Sequence, residues 1–187
     1  PLIFATRMRT PEINKRIQEE INCKTNKKKE ILIGEKTFRE GDRVIQTSNN
    51  YDLNVFNGDI GRIIKISSTD SGLIVRFGNK KSYKLISYER QNIIELDLAY
   101  SITCHKSQGS EFDVIIIPVL NQHYIMLYRN LIYTALTRAK RVAIFVGERE
   151  AFERSVKNIN PNIRQTSLSK FIQEHYEEVE PELEFLN

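Results

Sequence analysis

Hydrophobic and polar positions change rhythm along this chain. Between Thr10 and Cys23, Ile13, Ile17 and Ile21 recur at helical spacing, and Thr10-Pro11 offers a capping hydroxyl with proline at the first helical position. A helix with an apolar isoleucine stripe is predicted there. The segment "FREGDRVIQT" then reads as a Gly-Asp turn into a strand at 43–47, in the main sheet or at the entry to an insertion. From 53 to 92 the pattern shortens to strands near 55–56, 61–66, 72–77 and 81–86, with Asn57-Gly58 and Gly78-Asn79 between them. Asn-Gly and Gly-Asn steps accept the positive φ of tight hairpins, so a small β-barrel is predicted. About forty residues bury little core, and the module should lean on a larger neighbour.

Past Ala99 the pattern lengthens. "AYSITCHKSQGSEFDVIIIPV" predicts a strand at 99–103, a polar turn at 105–111 and a fully apolar strand at 114–119, a layout that suits an α/β sheet. In "RNLIYTALTRAKRVAIFVGE" and the two residues before it, Leu127, Leu131 and Leu136, with Tyr128 and Tyr133, keep helical spacing ahead of a strand at 142–146. Tyr128 and Tyr133 are expected in the core, and Arg138 near the helix end. Two further helices are predicted at 150–156 and 167–176, broken by Asn160-Pro161.

Composition narrows the class. With 40% hydrophobic and 28% charged residues the chain has the make-up of a globular domain, and its longest apolar run is too short to span a bilayer. Cys23 and Cys104 show no metal-ligand spacing, so reduced thiols and a cytoplasmic location are expected, with no membrane partner. A net charge of +4 is compatible with phosphate-bearing partners but does not identify one. The lysines at 24 and 27–29 and the glutamates between 174 and 184 read as solvated surface.

The chemistry-bearing residues lie in the polar turn and at the later helix end. Thr103, His105, Lys106, Ser107 and Gln108 cluster beyond a strand, where backbone N–H groups favour anions. These two segments resemble motifs V and VI of superfamily 1B DNA helicases of the RecD type, including the RecD/TraA-like subgroup and the exodeoxyribonuclease V alpha chain. "ATRMRTPEIN" resembles motif IV, and "NNYDLNVFNGDIGRIIKI" resembles the stretch where that family carries an SH3-like insertion. The resemblance implies an α/β, RecA-like (P-loop NTPase-type) helicase domain 2A with an inserted small SH3-like β-barrel, 2B. Its expected limits are 1–52 and 93–158 for domain 2A, 53–92 for domain 2B, and 159–187 for a C-terminal helix and acidic tail.

No G-x-x-x-x-G-K-[ST] loop occurs in the 187 residues, and the chain begins at Pro1. It is therefore expected to be the C-terminal motor half of a longer ATP-dependent 5′–3′ DNA helicase and to be inactive alone. ATP and Mg would be held mainly by an upstream RecA-like domain of the same polypeptide. By resemblance, Arg138 is the arginine finger, a role suited to a permanently charged planar donor fork. Arg9, or Arg7 beside it, reaches the nucleotide, as do Gln108, Gly109 and Glu111. The glycine lets backbone approach closely, and the carboxylate accepts from ribose hydroxyls. Thr103, His105, Ser107 and Asn57 are the implied contacts to single-stranded DNA, held through phosphates without reading bases. Tyr51 and Phe56 are candidates for stacking on bases. Nuclease-complex subunits are further implied partners.

Two rival classes stand beside this reading. One is a non-enzymatic nucleic-acid or protein-binding module; intact Gln108, Glu111 and Arg138 argue against it. The other, a nucleotide-binding regulatory domain, lacks a phosphate loop.

Overall fold

The computed structural model describes residues 2–4, 10–26, 28–67, 72–78, 82–159 and 172, the first three by backbone alone. Arg7, Arg9 and the helix expected at 167–176, Ile172 apart, lie outside them. In chain order the elements are β1 (Leu2–Phe4), α1 (Thr10–Ile21), β2 (Glu30–Ile33), β3 (Lys36–Arg39), β4 (Arg43–Gln46), β5 (Ile60–Ile66), β6 (Leu73–Gly78), β7 (Tyr83–Tyr88), β8 (Leu96–Leu98), β9 (Ser101–Thr103), β10 (Phe112–Val119), α2 (Arg129–Leu136), β11 (Ala139–Gly147) and α3 (Arg149–Lys157). No helix among them is long and apolar enough to cross a membrane.

Four strands form a parallel sheet in the order β11-β10-β1-β9. The run "FDVIIIPV" supplies β10, whose Ile115, Ile117 and Val119 are buried against Leu131, Ile132 and Ala135 of α2 and Ala151 of α3. Val114 of β10 and Val142, Ile144 and Val146 of β11 are exposed. That apolarity fits strands of a kind usually covered on both faces.

The remaining strands build a five-stranded antiparallel sheet in the order β7-β6-β5-β4-β8, beside the separate hairpin β2–β3. Val44, Ile63, Val75, Phe77, Tyr88 and Leu96 line its core together with Ile31 and Phe38 of the hairpin. The stretch expected as a barrel at 53–92 supplies three neighbouring strands of this sheet, β5, β6 and the edge strand β7, while β4 and β8 lie outside those limits. Among the described pairings β7 and β8 are its two edges, and nothing joins them into a closed barrel. Residues 55–56 do not form the expected strand. Val55 makes a lone bridge to Asn50 inside a turn that Asn54 completes with φ 51°.

The isoleucine stripe of α1 is not its buried face. Ile21 is 72% exposed, whereas Asn14, Gln18 and Asn22 are buried. The surface facing this helix is backbone, and polar side chains satisfy it. Asn14 donates to the carbonyls of Leu98 and Ser101 at 2.9 Å each and accepts from the Ser101 N–H at 2.6 Å. Gln18 donates to the Thr37 carbonyl and Asn22 to that of Glu40. Buried polar groups are tolerated only when paired in this way.

Asp42, fully buried, is the hub of that junction. One carboxylate oxygen accepts from Gln18 Nε2 at 2.5 Å and the Arg39 N–H at 2.6 Å. The other accepts from Asn22 Nδ2 at 2.6 Å and the Tyr100 hydroxyl at 2.8 Å. Burial, then the Asp42 charge, pushes the Tyr100 hydroxyl well above the usual tyrosine value, so it stays a donor. Helix, hairpin, antiparallel sheet and the approach to β9 are thereby tied at one point.

Candidate functional site

β9 and β10 both pair with β1, so their levels can be compared: Ser101 and Ile116 each stand opposite Leu2. Thr103 lies beyond that level and Phe112 before it. At about 3.3 Å per residue, the connection 104–111 runs back on the order of 20 Å along the strand direction. The polar turn read as one site from sequence therefore has two ends.

At the far end, His105–Ser107 form a single 3-10 turn. His105 is exposed, while Thr103 and Ser107 are buried. Thr103 Oγ1 accepts from the Lys106 N–H at 3.2 Å, and the Ser107 hydroxyl donates to the Cys104 carbonyl at 2.6 Å. The Ser107 proton is thus used within the turn, whereas the Thr103 hydroxyl, an acceptor here, keeps its own proton to donate. Lys106 donates to Asp97 at 3.0 Å, and Lys36 pairs with the same carboxylate. Burial pushes Asp97 up, but hydrogen bonds and charge from Lys36 and Lys106 outweigh it and hold the group below its usual value.

The Asn57-Gly58 turn comes to this end, Gly58 facing the Lys106 carbonyl. Asn57 is exposed, and its N–H donates to Asn49 Oδ1 at 2.9 Å. Tyr51 and Phe56, both exposed, meet edge to face with centroids 6.1 Å apart beside it. Tyr133, expected in the core, is 66% exposed; α2 turns Leu131, Ile132 and Ala135 inward instead. Tyr128 is half-buried and packs on the core cluster as expected.

At the near end the loop preceding β10 meets the loop preceding β11. The Phe112 N–H donates to the Arg138 carbonyl at 2.9 Å, and Phe112 pairs with Ala139. Gln108, Gly109 and Glu111 are exposed. Gly109 has φ 79° with open space where a Cβ would stand, so its backbone angle requires glycine. Glu111 pairs with Lys140 at 3.1 Å. Lys140 was missed from sequence, although its place two residues after Arg138 was a usable signal. Arg138 is half-buried, with its guanidinium folded onto its own helix end, donating to the Thr134 carbonyl at 3.2 Å and to Thr137 Oγ1 at 3.1 Å. The structure brings Glu111, Lys140 and Arg138 together and leaves His105 and Asn57 at the opposite end.

Comparison with known proteins follows the same division. Residues 13–77 match the ATP-dependent RecD-like DNA helicase SH3 domain family, and residues 98–146 match the UvrD-like helicase C-terminal domain family. The ATP-dependent RecD2 DNA helicase of Deinococcus radiodurans is 32% identical over 145 residues, covering 78% of this chain and 19% of that protein. The RecBCD enzyme subunit RecD of Buchnera aphidicola subsp. Schizaphis graminum is 29% identical over 153 residues, 77% of this chain and 23% of that protein. The chain thus spans about a fifth of the length of these relatives. A Bacteroides Pif1 structure bound to single-stranded DNA shares the fold with a TM-score of 0.53 at 18% identity, over 95% of this chain and 45% of that one. With two family matches in tandem, RecD relatives over most of its length and a shared fold, the chain belongs to the RecD-type helicases and corresponds to their C-terminal part.

Proposed function

We propose that the chain is the second motor half of an ATP-dependent 5′–3′ DNA helicase. The observation that carries this reading is the connection 104–111, one continuous segment joining an exposed His105 at one end of the sheet to Glu111, Lys140 and Arg138 at the other. A rigid link between two ends of a domain suits a motor in which closure on nucleotide moves a grip on DNA.

In this reading Gln108, Gly109 and Glu111 face the nucleotide, and Arg138 swings from its helix end toward the γ-phosphate. There its guanidinium stabilises charge that develops during transfer. ATP and Mg are held mainly by a RecA-like domain carrying the phosphate loop, which these 187 residues do not contain. Arg9, or Arg7, is assigned to the same nucleotide. Thr103, His105, Ser107 and Asn57 are assigned to phosphates of single-stranded DNA, with Thr103 and Ser107 also shaping the turn, and Tyr51 and Phe56 offer a stacking surface. Domain 2A at 1–52 and 93–158, with 2B at 53–92 and a C-terminal tail at 159–187, remains the proposed division, with 2B drawing strands from both flanks. The name of the Buchnera relative, a RecBCD enzyme subunit, supports a multisubunit enzyme as one setting, and that of the Deinococcus relative, an ATP-dependent DNA helicase, supports the helicase reading itself. A cytoplasmic location accompanies either.

A second reading, a non-enzymatic binding module, takes support from Arg138 being occupied on its own helix end. ATPase assays with and without single-stranded DNA decide between them, made on this chain alone and on the full-length protein. An inactive chain within a full-length protein that shows DNA-stimulated turnover is the expected result; inactivity of both supports the module.

His105 tests the grip. His105→Ala in the full-length protein is expected to weaken oligo(dT) binding at fixed salt by about fivefold, the loss of one hydrogen bond worth about 1 kcal/mol. Unchanged affinity removes His105 from the DNA site.

A further inference from the structure

One face of the antiparallel sheet, turned at its β4 end toward the core under the parallel sheet through Ile45 and Ile60, carries a row of arginines that the motor reading leaves unused. Arg43 of β4 pairs directly with Arg62 of β5, and Arg62 with Arg76 of β6, so the three stand side by side on one face; Leu85 of β7 continues the row. Directly opposed residues have Cβ atoms roughly 5 Å apart, and like charges so placed are destabilising. No described carboxylate relieves them, for none of the three is in an ion pair. Arg62 donates only to the Gly41 carbonyl, at 3.1 Å. Arg43 lies over the Phe112 ring, 5.6 Å from its centroid, and Arg76 over Tyr83, at 6.0 Å. Burial first, and then the charge of Arg62, holds the Arg43 guanidinium below its usual value.

Beside the row, Ile64, Tyr83 and Leu85 are exposed. Guanidinium forks at strand spacing, with an exposed aromatic and aliphatic rim, match an extended polyanion whose bases are free to stack. The row begins where Arg43 meets Phe112, at the near end of the sheet, away from His105 and Asn57. We infer that Arg62 and Arg76 are a second track for single-stranded DNA, holding its phosphates on this face of the antiparallel sheet, with Arg43 closing the row at its half-buried end on Phe112. Its net repulsion in the free protein is relieved when phosphates lie between the forks, which favours the bound state. The inference shares with the proposed function only the premise that the protein binds single-stranded DNA.

The test uses Arg62→Gln/Arg76→Gln in the full-length protein, leaving Arg43 in place because it packs on Phe112. Binding of fluorescent oligo(dT) and of a blunt hairpin duplex is followed across a salt series, with His105→Ala alongside and circular dichroism confirming the fold. The expected result is a slope for oligo(dT) lower by about 1.4, two single-strand contacts, with a smaller change for the duplex. Arg62→Lys/Arg76→Lys should keep most of the slope. Three outcomes overturn the inference. An unchanged slope in the double variant while His105→Ala weakens binding leaves the motor site standing and the track refuted. A loss confined to the duplex makes the row a double-strand contact. Unchanged DNA binding with impaired ATP turnover makes it a contact between domains. If the unaltered protein does not bind oligo(dT), the DNA-binding premise itself fails.

Discussion

Arg138→Ala in the full-length protein is expected to lower DNA-stimulated ATP turnover by about 10³- to 10⁵-fold while single-strand affinity stays nearly intact. The asymmetry follows from the two-ended site. Arg138 follows α2 where β10 and β11 begin, and His105 follows β9, the two strand levels standing on the order of 20 Å apart, although the Arg138 guanidinium folds back along α2 far enough for its charge to act on Cys104. What Arg138 gives up within the fold is small: hydrogen bonds to the Thr134 carbonyl and the Thr137 hydroxyl, both at a helix end near solvent. Its backbone carbonyl, which accepts from Phe112, survives the substitution. Arg138→Lys should recover little, because an ammonium cannot present the planar fork. Turnover by stopped-flow phosphate release and binding by anisotropy separate the cases. Equal loss of both would assign Arg138 to the folding of the β10–β11 junction.

The second large effect is on stability. Asp42→Ala removes the acceptor of four donors, Gln18, Asn22, Tyr100 and the Arg39 N–H, all drawn to one buried carboxylate. Left without it, these donors are desolvated and unpaired, and breaking such a centre costs about 3–5 kcal/mol. For a chain of this size the melting temperature should fall on the order of 10 °C. Urea unfolding read by far-ultraviolet circular dichroism checks it. A loss under about 1 kcal/mol would mean that water replaces the carboxylate and that the junction is held by apolar contacts alone.

Much of the architecture was legible in the pattern. The apolar run of β10, the helical spacing of α2 with Arg138 just past its end, and the glycine turns of the antiparallel sheet lie close to where periodicity put them. Periodicity failed where burial was polar. On α1 the isoleucines recur as regularly as a core stripe, yet the side packed inward is Asn14, Gln18 and Asn22. A helix that docks on strand ends meets carbonyls and N–H groups, and only polar side chains can pair with them. Likewise Thr103 and Ser107 read as ligand contacts because hydroxyls suit phosphates. In the fold those hydroxyls bond the turn itself.

By itself the sequence determined the family, an α/β part beside a run of short strands, and the identity of the chemical groups, because these depend on residue type, spacing and local turn chemistry. Tertiary structure alone decided their distribution. It separated His105 from Glu111 and Arg138, joined Glu111 to Lys140 across two strands, made Asp42 a buried hub and lined up Arg43, Arg62 and Arg76 on one face. Each of these arises from strand register or from contact between residues distant in the chain. A one-residue slip in register would send a side chain to the opposite face, and no local pattern encodes which partner strand it meets.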